Sequence, residues 1–292
     1  MNTLAALNLS KLLKRSPAEH KGNAGKALLI GGAPGMAGAL LLAGKACLHL
    51  GAGWTILEML DPASAHADFD SPELMIQLAN LEPEQVLAKH RPDLIAIGPG
   101  LGISEQAEQW LRATLAYPNI PLVIDADAIN SIAQSPELLS ALQSRNHIFP
   151  GQSVLTPHPG EASRLLQCTP EIIQADRPSA IEKLVSLTQS IVVLKGQHTL
   201  LASPQNSILE CQEGNPGMGT GGMGDVLTGS IAALAVQGVR HQLNLWQATQ
   251  LAVQLHAVAA DSLVAQGIGP LGLTPSETVL EMRSLLNQLI QA

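Results

Sequence analysis

Aromatic side chains are nearly missing from this chain: one tyrosine, two phenylalanines and three tryptophans in 292 residues. With 46 % of positions hydrophobic, the core must be built from Leu, Ala, Val and Ile. Basic residues are also scarce. Lys and Arg total 16 against 24 acids, for a formal charge of −8, and no basic cluster is visible. That argues against a nucleic-acid-binding face, and it means that an anionic ligand would be held mainly by backbone amides. Three widely separated cysteines, Cys47, Cys168 and Cys211, make no disulfide framework and fit reduced thiols in the cytoplasm. Apolar runs are broken by Gly, Lys or His before bilayer length, so no membrane span is expected. The opening MNTLAALNLSKLLKR has too short an apolar stretch, with its positive charge on the wrong side, for a secretory leader. There is no Walker A sequence, no GxSxG elbow and no His/Cys cluster with zinc spacing.

Apolar runs and helical patterns alternate along the rest. Strands are expected at 26–32, 54–60, 74–79, 93–98, 121–127, 153–157 and 191–196, with a hairpin turning around Pro204–Asn206. Helices are expected at 36–50, near 104–115, from there to about 143 after the 121–127 strand, from Pro159, and at 222–236, 243–266 and 274–290. The last opens with Thr274-Pro275-Ser276-Glu277, a capping box with proline at the first helical position. Interleaved strands and helices imply an α/β fold: a mostly parallel sheet covered on both faces. With no linker or repeat, residues 20–292 read as one domain behind an extension of 1–19 to which no role is assigned. Five strand ends carry suggestive residues: Gly-Gly after the first strand, GPGLG (98–102), DADAIN (125–130), TPHPGE (156–161) and KGQHT (195–199). Ligands of such sheets bind beyond the carboxyl ends of the strands.

The densest signal is GNPGMGTGGMGDVLTG, residues 214–229. Glycine loses more freedom on folding than any other residue, so such a run implies a demand for bare backbone. GxGxxG occurs in it twice, but after a hairpin and without a suitably placed acid, which is a weak dinucleotide fingerprint. A glycine turn feeding an apolar helix exposes unpaired N–H groups and the positive end of the helix dipole, which suits phosphate without any lysine. Asp225 then falls in the first helical turn, as either a cap or a proton acceptor beside the anion. Pro159 and Glu161 fit helix initiation, but His is a poor cap, which makes His158 the more informative residue. Lys195 reads equally as a solvated turn residue. One of Asp125 and Asp127 is expected to cap the helix that follows. Gly98, Gly100 and Gly102 suggest close ligand approach. His49 and His256 lie in apolar helices and read as packed.

Together and in order, these motifs resemble the ADP-dependent NAD(P)H-hydrate dehydratases, a family with a ribokinase-like three-layer α/β/α fold. The stretches that carry the likeness are 20–46, GAGWT (51–55), AIGPGLG (96–102), VIDADAIN (123–130), LTPHPGEASRLL (155–166), VVLKGQHTLL (192–201) and 214–229. Gly219 departs from the usual alanine, and Met223 from a frequent Thr or Ser. The resemblance implies the dehydratase without the epimerase domain that some family chains carry. It implies dehydration of hydrated NADH or NADPH, driven by ADP, with Mg²⁺ present, in a cytoplasmic tetramer. By the same resemblance, Asp225 is the general base, and the amides of Gly221, Gly222, Met223 and Gly224 form an anion hole. Lys195, Gly196, Gln197, His198 and Thr199, with Gly224, line the AMP portion of the nucleotide. Ala39, Gly102, His158 and Asp225 contact the hydrated dinucleotide, and Glu161 organises Mg²⁺ through water. An ATP-dependent kinase of a small alcohol and a nucleotide-sensing module without chemistry are the alternatives.

Overall fold

The computed structural model describes residues 1–80 and 82–292. Ten strands form one sheet: β1 (Asn2–Thr3), β2 (Lys26–Gly31), β3 (Trp54–Met59), β4 (Met75–Leu78), β5 (Leu94–Ile97), β6 (Leu122–Ile124), β7 (Ser153–Leu155), β8 (Ile191–Leu194), β9 (Leu200–Ser203) and β10 (Asn206–Glu210). Their order across the sheet is β1-β10-β9-β8-β7-β6-β5-β2-β3-β4. All pairings are parallel except β8–β9 and β9–β10, which form a meander at one side.

Successive side chains of a strand point to opposite faces, and both faces here are apolar. Leu29 of β2 and Ala96 of β5 enter one buried cluster, while Leu28, Ile30, Ile95 and Ile97 enter the other. The first layer is α1 (Ala37–His49) with the long carboxyl-terminal helices α9 (Met223–His241), α10 (Leu245–Ala265) and α11 (Pro275–Gln291). The second holds α2 (Pro83–His90), α3 (Glu105–Ala116), α4 (Ala126–Gln134), α5 (Pro136–Ile148), α6 (Pro159–Leu165), α7 (Pro170–Ala175) and α8 (Arg177–Thr188). The expected α/β/α sandwich is therefore what the chain forms. The first thirteen residues belong to it physically. β1 pairs with β10, and Leu4, Ala6 and Leu13 are buried in the core.

Small residues let the first layer close tightly. At Gly229 of α9 an added Cβ would stand 2.0 Å from the carbonyl oxygen of Ala43 in α1. Two helices cannot approach so closely with any side chain between them. α9 is thereby pressed across the sheet with its amino-terminal end over the ends of β6–β8.

Candidate active site

Three adjacent parallel strands, β6, β7 and β8, end side by side, and each is followed by a polar residue: Asp125, Thr156 and Lys195. Asp125 and Thr156 are in register across β6 and β7, while Lys195 stands two residues beyond the position opposite Thr156, on the same face, and its long side chain reaches Asp125. Oδ1 of Asp125 accepts hydrogen bonds from the Thr156 hydroxyl at 2.7 Å and from the Lys195 ammonium at 2.8 Å. Its Oδ2 accepts from the Thr228 hydroxyl of α9 at 2.8 Å. Asp125 is 1 % exposed, so pairing and hydrogen bonding are what make its burial tolerable. It does stand at the amino-terminal boundary of α4, but its side chain makes no cap bond. Asp127 does not cap either: its Oδ2 accepts the N–H of Gly102 at 2.9 Å. The expectation that one of the two caps α4 is therefore corrected. Lys195 and Thr228 draw Asp125 inward, and the glycine turn claims Asp127.

The loop 98–102 is a second correction. An added Cβ at Gly98, whose φ is +130°, would sit 1.9 Å from the carbonyl oxygen of Asp125, and one at Gly100 would sit 2.6 Å from that of Met36. Protein backbone, not ligand, crowds these two positions. Gly102 lies at the open end of the loop, near Ala33, while Ala39 packs against Gly100. Ala39 and Gly102 are thus brought together where β2 and β5 send their chains in opposite directions, a switch point of the sheet.

His158 caps α6 after all. Its Nδ1 accepts the N–H of Gly160 at 2.9 Å, which places the ring proton on Nε2. That Nε2 lies 3.2 Å from Oε1 of Glu161, whose Oε2 accepts the His158 backbone N–H at 2.8 Å, completing a capping box. Burial, together with the charges of Lys195 and Arg164, lowers the pKa of His158, consistent with a neutral ring donating to Glu161. Both ring nitrogens are therefore used locally, and what His158 offers a ligand is its exposed ring. Glu161 is 4 % exposed and stands 3.8 Å from Lys195. Burial raises its pKa, with Asp125 adding and Lys195 opposing. Burial also opposes the charge on Lys195, yet Asp125 and Glu161 hold its pKa above the usual lysine value.

Asp225 is the third residue of α9, one turn before Thr228, and so shares the helix face that looks onto this cluster. It is not a cap. The amino-terminal boundary residue is Gly222 in a left-handed conformation (φ +97°) with no side-chain bond, and Asp225 has no hydrogen-bond partner among the described residues. Burial pushes its pKa up to about 7, with Asp125, Asp127 and Glu161 adding and Lys195 opposing. An acid without a structural bond, among other acids, at a helix amino terminus is a group with no evident structural task.

In front of it, the amides of Gly221, Gly222 and Gly224 have no acceptor among the described residues, whereas that of Met223 donates to the carbonyl of Thr220 at 3.3 Å. Added Cβ atoms at Gly219 and Gly221 would meet nothing within 4 Å. The loop is tied down from behind. Asp261 of α10 accepts from the Gly214 N–H and from Asn215 Nδ2, each at 2.8 Å. Asn215 Oδ1 in turn accepts from Gly217 at 3.0 Å. Nothing in the sequence marks Asp261, because its partners lie 46 and 47 residues away.

Beside the loop lies a cavity of about 540 Å³. Lys195, Gly196, Gln197, His198 and Thr199 form one wall, and Met218, Gly219, Met223 and Gly224 another. Leu227, Val253, His256 and Ala257 close it from α9 and α10. His198 (φ +54°) is fixed by Nδ1 at 2.9 Å from Glu210. All five residues of KGQHT thus face the glycine loop across one pocket, which is of the size that small ligands occupy.

Among the described residues, no three His, Cys, Asp or Glu side chains are placed to hold a metal ion. The oxygens of Glu161 already serve His158. The residues fit Mg²⁺ only in an outer shell, with water and ligand phosphates as direct partners, a mode that this ion favours.

An α/β/α sandwich whose strand ends face a glycine-lined helix amino terminus with a free acid is the architecture of a ribokinase-like fold. Solved structures agree. A ribokinase-like superfamily protein from Enterococcus faecalis matches at 28 % identity with a TM-score of 0.78, covering 100 % of this chain and 97 % of that one. An ADP/ATP-dependent NAD(P)H-hydrate dehydratase from Bacillus subtilis, co-crystallised with ATP/Mg²⁺, shares the fold with a TM-score of 0.81 at 24 % identity, over 99 % of this chain and 98 % of that one. The Carb_kinase family model, described as NAD(P)H-hydrate dehydratase, matches residues 27–278, and the chain belongs to that family. A bifunctional NAD(P)H-hydrate repair enzyme of Vibrio cholerae is 40 % identical over 285 residues, 96 % of this chain and 53 % of that protein. The chain thus spans about half the length of the first curated relatives it matches. An ADP-dependent (S)-NAD(P)H-hydrate dehydratase of Neisseria meningitidis is 36 % identical over 284 residues, and there the match covers 95 % of this chain and 90 % of the relative.

Proposed function

We propose that this protein returns hydrated NADH or NADPH to the intact cofactor by an ADP-dependent dehydration that releases AMP and phosphate. The observation that carries this reading is Asp225, an acid with no structural bond beside three unclaimed amides.

The hydroxyl on the hydrated ring gives its proton to Asp225, and its oxygen attacks the terminal phosphoryl group of ADP. AMP leaves. The charge on the transferring group is met by the amides of Gly221, Gly222 and Gly224 at the positive end of α9, donors already in place before the reaction starts. The phosphate ester then departs with the C–O bonding pair as the ring nitrogen supplies its lone pair. Loss of a proton from the neighbouring ring carbon restores the dihydropyridine. The base works because burial has brought its pKa near neutrality, where it accepts a proton strongly while still being ionised in part.

The cavity walled by residues 195–199 receives the nucleotide. The junction of Ala39, Gly102 and the exposed ring of His158 receives the hydrated dinucleotide. Mg²⁺, when bound with the phosphates, would supply charge neutralisation, and Glu161 would be the residue that holds it, through water. The active form in this reading is a cytoplasmic homotetramer, which sedimentation velocity checks; no described helix is long and apolar enough to cross a membrane.

The test mixes purified protein with hydrated NADH, Mg²⁺ and either ADP or ATP. Dihydronicotinamide absorbance returns, with one phosphate freed per cofactor repaired. No recovery with either nucleotide, together with ATP-dependent phosphorylation of a small alcohol, would replace this reading with that of a kinase.

A further inference from the structure

Among the described residues that wall the pocket, one buried polar side chain has neither a partner nor a place in the chemistry just described. His256, in the middle of α10, is 6 % exposed and walls the cavity together with Val253, Ala257, Leu227 and Met223. Its Nε2 is sealed from solvent with no partner, and among the described residues Nδ1 has none either. A buried imidazole with two unpaired nitrogens costs stability that an aliphatic residue in the same helix would not. Its neighbours Val253 and Ala257 are of that aliphatic kind. Since Nε2 is sealed, the residual exposure of the ring leaves Nδ1 as the nitrogen able to meet a ligand.

We propose that His256 is a nucleotide-binding residue, its Nδ1–H donating to an acceptor on the base of the nucleotide held in this cavity. The inference rests on the nucleotide reading of the pocket and extends it to a residue on α10. The tautomer follows from the surroundings. A proton on Nε2 would be a buried donor with no acceptor, which is worse tolerated than a buried lone pair, so the proton sits on Nδ1. The ring is also neutral, because burial pushes its pKa down to about 4 and the Lys195 charge adds to the effect. The donor is therefore uncharged and set among apolar walls, which suits a heteroaromatic base edge. The phosphates have their own donors at the glycine loop.

The experiment measures AMP and inorganic pyrophosphate binding by calorimetry in the wild-type protein, His256→Leu and His256→Asn, with thermal melts alongside. Leucine removes both nitrogens at similar size, and asparagine keeps a donor near the Nδ1 position. AMP affinity falls about tenfold in His256→Leu, the scale of one lost neutral hydrogen bond, and returns to within about threefold of wild type in His256→Asn. Pyrophosphate affinity is unchanged in both. In turnover, KM for ADP rises in the leucine variant, while kcat and KM for the hydrate stay level. His256→Phe, a second replacement without ring nitrogens, stands in if the leucine protein does not fold. Wild-type AMP affinity in the leucine variant overturns the proposal, as does a parallel loss of pyrophosphate or a failure of asparagine to restore binding. A wild-type protein that binds no AMP at all removes the nucleotide reading of the cavity, and the assignment of His256 with it.

Discussion

Two glycine-rich loops flank the acid cluster, and they differ in what lies over some of their glycines. In 98–102, Gly98 and Gly100 are bare because protein backbone occupies the space that a side chain would need. In 214–224, Gly219 and Gly221 are bare although nothing of the protein comes within 4 Å of the missing Cβ. The first loop is a packing device that presents Gly102 and Ala39. The second is crowded at Gly217 and Gly222, by Pro270, Leu42 and Pro275, but leaves room over Gly219 and Gly221 that the folded chain alone does not use. Glycine density by itself therefore does not mark a ligand site; a glycine with empty space over it, next to free amides, does.

The contrast can be broken most forcefully at Gly98. Gly98→Ala puts a methyl group 1.9 Å from a carbonyl oxygen at a φ that L-residues avoid, so a destabilisation of about 3 kcal/mol or more is expected in urea melts. A stable Gly98→Ala protein would show the first loop to be as roomy as the second.

The acid facing the second loop gives the next largest effect. A base must be ionised to act. With the Asp225 pKa raised to about 7, turnover per free enzyme falls about tenfold for each pH unit below that value. An ordinary aspartate would hold the rate down to about pH 4. The same raised pKa has a stability consequence. The folded state binds this proton more tightly than the unfolded chain does, so ionising it costs stability as pH rises from about 4 to about 7. A flat rate profile between pH 5 and pH 8 would separate Asp225 from the chemistry.

Smaller again is the anchor behind the second loop. Asp261→Ala frees Gly214 and Asn215, and KM for ADP is expected to rise roughly threefold to tenfold with a melting point only a few degrees lower. An unchanged KM would mean that the loop holds its shape without α10. The least effect on folding is expected at Gly219→Ala, within about 0.5 kcal/mol of wild type, because the added methyl group meets nothing. A large loss there would bring the two loops back together.

Much of this was legible in the residues. The alternation of apolar runs reveals the parallel sheet, and the strand-end motifs converge because neighbouring parallel strands end together. The strand-end motif KGQHT points to 195–199 as a place of interest, and the glycine run that feeds α9 points to Asp225. The helices α2, α7 and α8 were not read from the sequence. They are short or weakly patterned, and their one plain signal was proline at the first or second helical position, at Pro83, Pro170 and Pro178. The roles of Asp125 and Asp127 were misassigned because local spacing allows a cap, while the partners that win, Lys195, Thr228 and Gly102, come from elsewhere in the chain. The burial of Leu4 and Ala6 was invisible for the same reason: β1 pairs with a strand some two hundred residues away.

The most direct measurement concerns Asp225 itself. Asp225→Asn keeps the shape and removes the charge, and turnover of hydrated NADH with ADP should drop by about a thousandfold or more. AMP should still bind, and the melting point at pH 8 should be equal to or above that of wild type, since the cost of a buried charge is gone. A variant that repairs the cofactor at within a few-fold of the wild-type rate would contradict the account.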